Sequence, residues 1–376
     1  MTALMIQNAK QPNPSSRPEP KRGILDIAPY VGGKSATKPG IKAVKLSSNE
    51  TPLGASPLAM KAFVEAAPFL HRYPDGHAIR LRQAIAEVHG LPESQLVCGA
   101  GSDELIALLI HAYAGTGDEM VMSAHGFLMY KIYAQGFGVS IVAAPEKNLR
   151  TDVDAMLAAV TPRTKIMFIA NPNNPTGSYL TKEELHRLHA ALPSHVLLVI
   201  DDAYSEYVTA ADYSDGRELV AKFENVVILR TFSKIYGLSA LRLGWAYAPL
   251  HICDVLNRIR GPFNVSAPAI EAGIAAVRDI AFTKKTQAFN TQWLAWLSKE
   301  ISALGLTAYP SIANFVLVGF PPGTHSAFAA NTFLAERGLI VRDVVAYGLP
   351  NALRISIGLE EDNRAVVAAL SDFLKA

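Results

Sequence analysis

The chain has 376 residues, half of them hydrophobic and 18% charged, enough for one large core or two domains. Its 35 basic and 33 acidic residues leave a net charge of +2, which argues against the basic footprint of a nucleic-acid binder or a polybasic membrane surface. Two cysteines, Cys98 and Cys253, without a CxxC pattern argue against a disulfide framework or a zinc site and predict a reducing compartment, the cytoplasm; no run of about 18 apolar residues offers a membrane span.

The first 22 or so residues are polar and proline-rich, which predicts a flexible arm with no apolar signal core. His77–His89 reads as an amphipathic helix stopped by Gly90. Ser102 is placed to cap the helix of "DELIALLIHAYAG". Strands are predicted at Glu119–Ser123, Ser140–Ala143, Lys165–Ala170, Val196–Ile200, Val226–Thr231 and Trp245–Ala248. Most are rich in Val, Ile and Leu without strict alternation, as in strands covered on both faces. Thr181-Lys182-Glu183-Glu184 is a capping box for a helix to about Ala191. His186 and His189 share a face of that helix without a third ligand nearby and read as surface residues, so no metal is expected. After Gly261-Pro262 comes a long helical region, about Ser266–Leu304. A second set follows: "NFVLVGF", a helix Ala327–Arg337, "LIVRDV" and "LRISIGL". The alternation predicts an α/β fold with a mostly parallel central sheet in a large domain, residues 45–265. A smaller α/β C-terminal domain covers 266–376, and residues 1–44 form an arm and a segment packing on it.

Three strands end abruptly in polar residues. "KIMFIA" runs into Asn171-Pro172-Asn173-Asn174-Pro175-Thr176-Gly177, "VLLVI" into Asp201-Asp202-Ala203-Tyr204, and "VVILRT" into Phe232-Ser233-Lys234. Ligands of open parallel sheets sit outside the carboxyl ends of the strands. A carboxylate there can keep a ring nitrogen protonated, a lysine can form a Schiff base, and Ser, Thr and Arg can clamp a phosphate. Asp201 ends its strand directly and takes the functional reading, leaving Asp202 structural. In "GAGSDELI", Gly99 and Gly101 permit a tight turn, and the amides and Ser102 at the helix start favour an anion. Asp103 and Glu104 would repel a phosphate, so their side chains are expected to turn away or to engage the cofactor's edge. Glu104 breaks a GxGxxG fingerprint, and no GxxxxGK[ST], HExxH or GxSxG motif occurs.

A Schiff-base lysine, a ring-nitrogen carboxylate and a phosphate cup together describe pyridoxal phosphate (PLP). The chain resembles the fold-type I PLP-dependent aminotransferases, and within them the histidinol-phosphate aminotransferase family. The resemblance runs through "LSSNETPLGASP", "RYPDG", "GAGSDELI", "HGFLMY", "NPNNPTG", "DDAYSEY", "RTFSKIYGLSALRLGW", "NFVLV" and "LRISIG". It implies that Lys234 binds the cofactor covalently and, once displaced, shuttles the substrate proton. Asp201 would pair with the pyridinium nitrogen, while Tyr204 and Asn174 would bond the ring's phenolic oxygen. Phe127, where the family often has Tyr, would stack on the ring. Gly101, Ser102, Asp103, Thr231, Ser233 and Arg242 would surround the phosphate. Tyr73 would reach the phosphate of a neighbouring subunit, which implies a homodimer.

The same resemblance gives Arg354 to the substrate's anionic group, and Tyr30 and Asn49 to positions near the substrate. Arg342, twelve residues before Arg354, is expected to face the same crevice. Guanidinium forks suit both the carboxylates of glutamate and the phosphate of histidinol phosphate. The expected reaction is transamination between histidinol phosphate and 2-oxoglutarate in histidine synthesis. Tyr30, Phe127, Tyr130 and Tyr347 make the pocket tolerant of aromatic amines, so an aromatic amino-acid aminotransferase is an alternative. A PLP-dependent decarboxylase of a phosphorylated amino acid is another. A PLP- and DNA-binding regulator would need a helix-turn-helix that the short arm cannot supply.

Overall fold

The computed structural model describes residues 18–30, 32–33 and 42–376; most of the expected N-terminal arm lies outside them. Helices α1 (Pro57–Ala66) and α2 (Ile79–His89) precede a seven-stranded sheet. Its strands are β1 (Leu96–Gly99), β2 (Glu119–Ser123), β3 (Ser140–Ala144), β4 (Thr164–Ala170), β5 (Leu197–Asp201), β6 (Val226–Thr231) and β7 (Gly244–Tyr247). Their spatial order is β1-β7-β6-β5-β4-β2-β3, parallel except for β7, which runs antiparallel to both neighbours.

The continuous apolar runs have a direct cause. Along β5, Leu198 and Ile200 join one core cluster while Leu197 and Val199 join the cluster on the other face. Val226 and Ile228 of β6 divide from Val227 and Leu229 in the same way. Both faces are dry, so no polar alternation survives. The same parity separates the two aspartates at the end of β5. Asp201 falls on the side of Val199 and accepts a bond from Tyr130 Oη at 2.6 Å. Asp202 turns to the opposite side and pairs with Arg230 at 2.9 Å. Arg230, itself buried, also pairs with Glu206 (2.9 Å) and Asp215 (2.7 Å), and its guanidinium lies 5.7 Å from the centre of the Trp245 ring. This cluster ties β5, β6 and β7 together just beneath their functional ends. The expected structural role of Asp202 is the one observed.

Helices α3 (Ser102–Tyr113), α4 (Leu128–Phe137) and α5 (Lys182–Ala191) link strands of the sheet. The capping box of α5 forms as expected, with Thr181 and Glu184 each bonding the other's backbone N–H. His189 on α5 is buried and hydrogen-bonded to Asn225 at 3.0 Å, so the surface reading fails for it. The long helical region is two helices, α6 (Ala267–Arg278) and α7 (Ile280–Ala303). Asp279 breaks them: its carboxylate accepts from Phe282 N at 3.1 Å to cap α7 and from Ser56 Oγ, the cap of α1. The apolar face of α6 joins the core of the large sheet, while α7 packs on a smaller sheet through Trp293, Leu297 and Ile301.

That second sheet is four-stranded and antiparallel, made of β8 (Thr307–Ala308), β9 (Phe315–Gly319), β10 (Arg342–Asp343) and β11 (Ala352–Ser356) in the order β8-β9-β11-β10. Helices α8 (Ala327–Glu336) and α9 (Glu360–Lys375) cover it. Val44–Lys45 pairs in parallel with Leu339–Ile340, which brings residues 46–49 against β11. Among the described residues, no helix is long and apolar enough to cross a membrane.

Candidate active site

A cavity of about 210 Å³ opens at the carboxyl ends of β4, β5 and β6. The last residues of β5 and β6 deliver Asp201 and Thr231 to it, and the segments after the three strands deliver Asn174, Tyr204, Ser233 and Lys234. The turn before α3 contributes Ser102 and Asp103, the start of α4 contributes Phe127, and Arg242 closes one end. Of the residues expected around the cofactor, these ten line the cavity. Gly101 stands directly behind Arg242.

The turn before α3 depends on its glycines. Gly101 has φ +83°, a conformation that side-chain residues rarely adopt, and a Cβ on it would come within 2.5 Å of the Arg242 guanidinium. On β7, a Cβ at Gly244 would lie 2.4 Å from the Ser102 amide nitrogen. Gly101 is the residue that caps α3 and makes no side-chain cap bond; Ser102 is the first helical residue and does not cap. Its amide stays at the helix N-terminus, where an anion is favoured. Glu104 turns away as expected, accepting from Ala100 N and Asn264 Nδ2, both at 2.7 Å. Asp103 stays at the cavity, 3.6 Å from Arg242. Burial pushes the Asp103 carboxyl above its ordinary range, against the pull of Arg242 and Lys234. Arg242, at φ +48°, is held by bonds to Ser239 O (2.9 Å) and Ser233 Oγ (3.2 Å).

Lys234 keeps part of its surface open to the cavity but is enclosed by protein. Its Nζ approaches Ser48 O at 3.4 Å and stands 5.6 Å from the centre of the Tyr204 ring. Burial, then the Arg354 charge, brings the amine down to about 8. Asp201 is moved the other way, up to about 6, because burial outweighs the bond from Tyr130. Asp201 Oδ1 has no partner among the described residues. Tyr204 is pushed up to about 12 by burial, opposed by Arg354 and by a bond from Asn49.

The residues expected at the substrate separate into two groups. Arg354 is 5% exposed and donates to Asn174 Oδ1 and to Ser47 O (2.8 Å). Arg342 and Tyr30 line a second cavity, about 380 Å³, between α4, α8 and the segment around residue 30. There the Arg342 guanidinium lies 5.9 Å from the centre of the Tyr30 ring. Asn49 lines neither cavity; its amide donates to Tyr204 Oη at 2.9 Å. Tyr73 is 82% exposed and stacks on Phe263 away from the cavity, with ring centres 4.6 Å apart. Sequence reasoning missed Tyr130 as the partner of Asp201. A signal was present: Tyr130 lies three residues after Phe127 at the start of a helix, a spacing that puts both on one side.

Comparison with known proteins gives the family. The model of the family "Aminotransferase class I and II" matches residues 41–370. A histidinol-phosphate aminotransferase of Paramagnetospirillum magneticum is 55% identical over 360 residues, 96% of this chain and 99% of that protein. One from Rhodospirillum centenum is 53% identical over the same share of each chain. Among solved structures, the histidinol-phosphate aminotransferase of Sinorhizobium meliloti in complex with pyridoxal-5'-phosphate superposes with a TM-score of 0.83 at 28% identity. That match covers 89% of this chain and 92% of that one. The chain belongs to the class I and II aminotransferases, with the fold-type I architecture, and within them to the histidinol-phosphate aminotransferase family.

Proposed function

We propose that the chain is a PLP-dependent histidinol-phosphate aminotransferase, exchanging an amino group between histidinol phosphate and 2-oxoglutarate in histidine biosynthesis. The residues of the first cavity fit the cofactor. The unpartnered Oδ1 of Asp201 is an acceptor waiting for a ring N–H. The turn that a Cβ at Gly101 or Gly244 would fill is the place for a phosphate, with Thr231, Ser233 and Arg242 beside it. Bound there, PLP supplies the electron sink that lets an amine and a keto acid exchange nitrogen.

The chain's own residues do the rest. Asp201 would keep the ring nitrogen protonated, and Tyr204 and Asn174 would bond the ring's phenolic oxygen. Phe127 packs against the ring. Lys234 Nζ would hold the cofactor covalently and, once free, would carry the proton to and from the substrate's Cα. Its lowered proton affinity suits both tasks, since the neutral amine is the active form.

One observation carries the choice of substrate. Arg342 and Arg354 are directly opposed across the β10–β11 pair, so both side chains stand on one face of the small sheet. Arg354 reaches the first cavity's wall at Asn174, and Arg342 lines the second cavity. Two guanidiniums at the two cavities suit substrates whose anionic groups differ in kind and reach. Kinetics on the purified enzyme test this. Histidinol phosphate is turned over with 2-oxoglutarate as acceptor. Arg342→Ala lowers its kcat/KM by about 10- to 100-fold, the loss of a charge-assisted bond, and that of phenylalanine much less. Equal losses would remove Arg342 from phosphate recognition. Preference for phenylalanine in the wild type would favour an aromatic aminotransferase, and carbon dioxide release without a keto acid a decarboxylase.

The homodimer belongs to the same proposal. Leu58, Val64, Phe69, Leu70 and Tyr73 are exposed in and just after α1, an unusual density of apolar surface. A second copy docked there would bring Tyr73 toward its neighbour's phosphate turn. A monomer in sedimentation equilibrium at micromolar concentration would refute it. Cytoplasmic location is likewise proposed, supported by two buried free cysteines.

A further inference from the structure

Asn49 was expected beside the substrate, yet it is 1% exposed and its polar atoms are committed elsewhere. Its backbone N–H donates to Ser356 Oγ at 2.9 Å. Ser356 Oγ lies 3.1 Å from Asn49 Oδ1 and donates to it. The backbone carbonyl of Asn49 accepts from Asn314 Nδ2 at 2.9 Å. With Oδ1 engaged as the acceptor, the amide has one orientation, and Nδ2 must be the group facing Tyr204 Oη at 2.9 Å. A phenol oxygen that receives this bond has its own proton left to point elsewhere, and the cavity is where the Tyr204 side chain is open.

We propose that Asn49 is a positioning residue: anchored by Ser356 and Asn314 of the small-sheet region, it directs the Tyr204 hydroxyl proton into the cofactor cavity and does not bind substrate. The proposal rests on the PLP reading and on Tyr204 lying beside the ring's phenolic oxygen. Three features give the arrangement its specificity. The backbone of Asn49 has φ +56°, which Asn and Gly tolerate better than other residues. Ser356 and Arg354 are two residues apart on β11 and so share a face of that strand. Arg354 donates to Asn174 and Ser356 binds Asn49, so one strand supports both groups assigned to the ring oxygen. A donor bond received by Tyr204 also makes its own hydroxyl a stronger donor.

The test uses the full-length holoenzyme without substrate, titrating the visible absorbance of the bound cofactor against pH. A weaker donor at the ring oxygen leaves more negative charge there, which holds the neighbouring proton more tightly. Asn49→Gly, which suits the positive φ and removes the side chain that bonds Tyr204, is expected to raise the midpoint by on the order of half to one pH unit. Asn49→Asp replaces the donor by an acceptor that captures the Tyr204 proton, and is expected to raise it further. Ser356→Ala frees the amide and gives a smaller shift of the same sign. A midpoint unchanged in both Asn49→Gly and Asn49→Asp, with KM raised, would make Asn49 a substrate ligand and overturn the proposal. Unchanged midpoint and KM would leave Asn49 a fold residue and overturn it equally. A wild type that shows no pyridoxal absorbance at all would strike the cofactor reading instead.

Discussion

Lys234→Ala is expected to yield a folded chain with transaminase activity reduced by at least about 10⁴-fold, since it removes the covalent attachment and the proton carrier that we propose for this lysine. Lys234 is the only lysine among the described residues lining the cavity, and the other cation there, Arg242, does not deprotonate. At about 8, its amine is neutral in roughly one molecule in ten at pH 7. An ordinary lysine is neutral in roughly one in three thousand. Borohydride treatment and intact mass measurement check the attachment without relying on turnover. The wild type gains a pyridoxyl group on Lys234 and the variant gains none. Stability of the cofactor-free proteins is a second readout. The folded-state proton affinity of Lys234 is lowered, so the unfolded chain binds its proton more tightly. The wild type therefore gains stability as pH rises from about 8 toward the ordinary lysine value of 10.5. The variant lacks that gain. Normal turnover in the variant would refute the assignment.

The parts of this site that were legible in the sequence share a physical cause. Strands β2 and β6 have the bounds that the sequence implies, because strands covered on both faces are written in continuous apolar residues that stop where the sheet does. The polar residues following β4, β5 and β6 then mark the crevice. What escaped depends on partners distant in sequence or on backbone angle. Ser102 looked like a helix cap, but the left-handed-side φ of Gly101 gives that position to the glycine. The apolar pattern runs through Asp279 without a visible gap; α6 ends there because the Asp279 carboxylate caps α7 at Phe282 N and also accepts from Ser56 Oγ, 223 residues away. Asn49 resembled a substrate position; its bonds to Ser356, 307 residues on, show the amide occupied. Arg342 and Arg354 are twelve residues apart in sequence, but strand register places them opposite each other. A local pattern carries no information about such pairs.

Asp201 presents the clearest conflict between stability and function. Burial raises its carboxyl to about 6 in the cofactor-free chain, and among the described residues only Oδ2 has a donor, from Tyr130. The folded chain therefore binds this proton more tightly than the unfolded one. Between about pH 4 and about pH 6 that difference lowers folding stability as pH rises, and above about 6 the full cost of a buried, half-partnered carboxylate is present. A bound ring N–H at Oδ1 reverses the balance by favouring the charged form. Two results are expected. In the cofactor-free protein, Asp201→Asn makes the decline in denaturant stability across this pH window shallower by the share that Asp201 contributes, while Tyr130 keeps an acceptor in the amide oxygen. In the holoenzyme the same change costs roughly 10²- to 10³-fold in kcat, the scale for removing one preorganised electrostatic group, because an amide cannot keep the ring nitrogen protonated. Loading the wild type with PLP makes the decline shallower in the same way. Full activity in Asp201→Asn would refute the ring-nitrogen role. A decline that persists unchanged in the variant would assign the pH dependence to other groups, with the buried carboxylates around Arg230 the next to test.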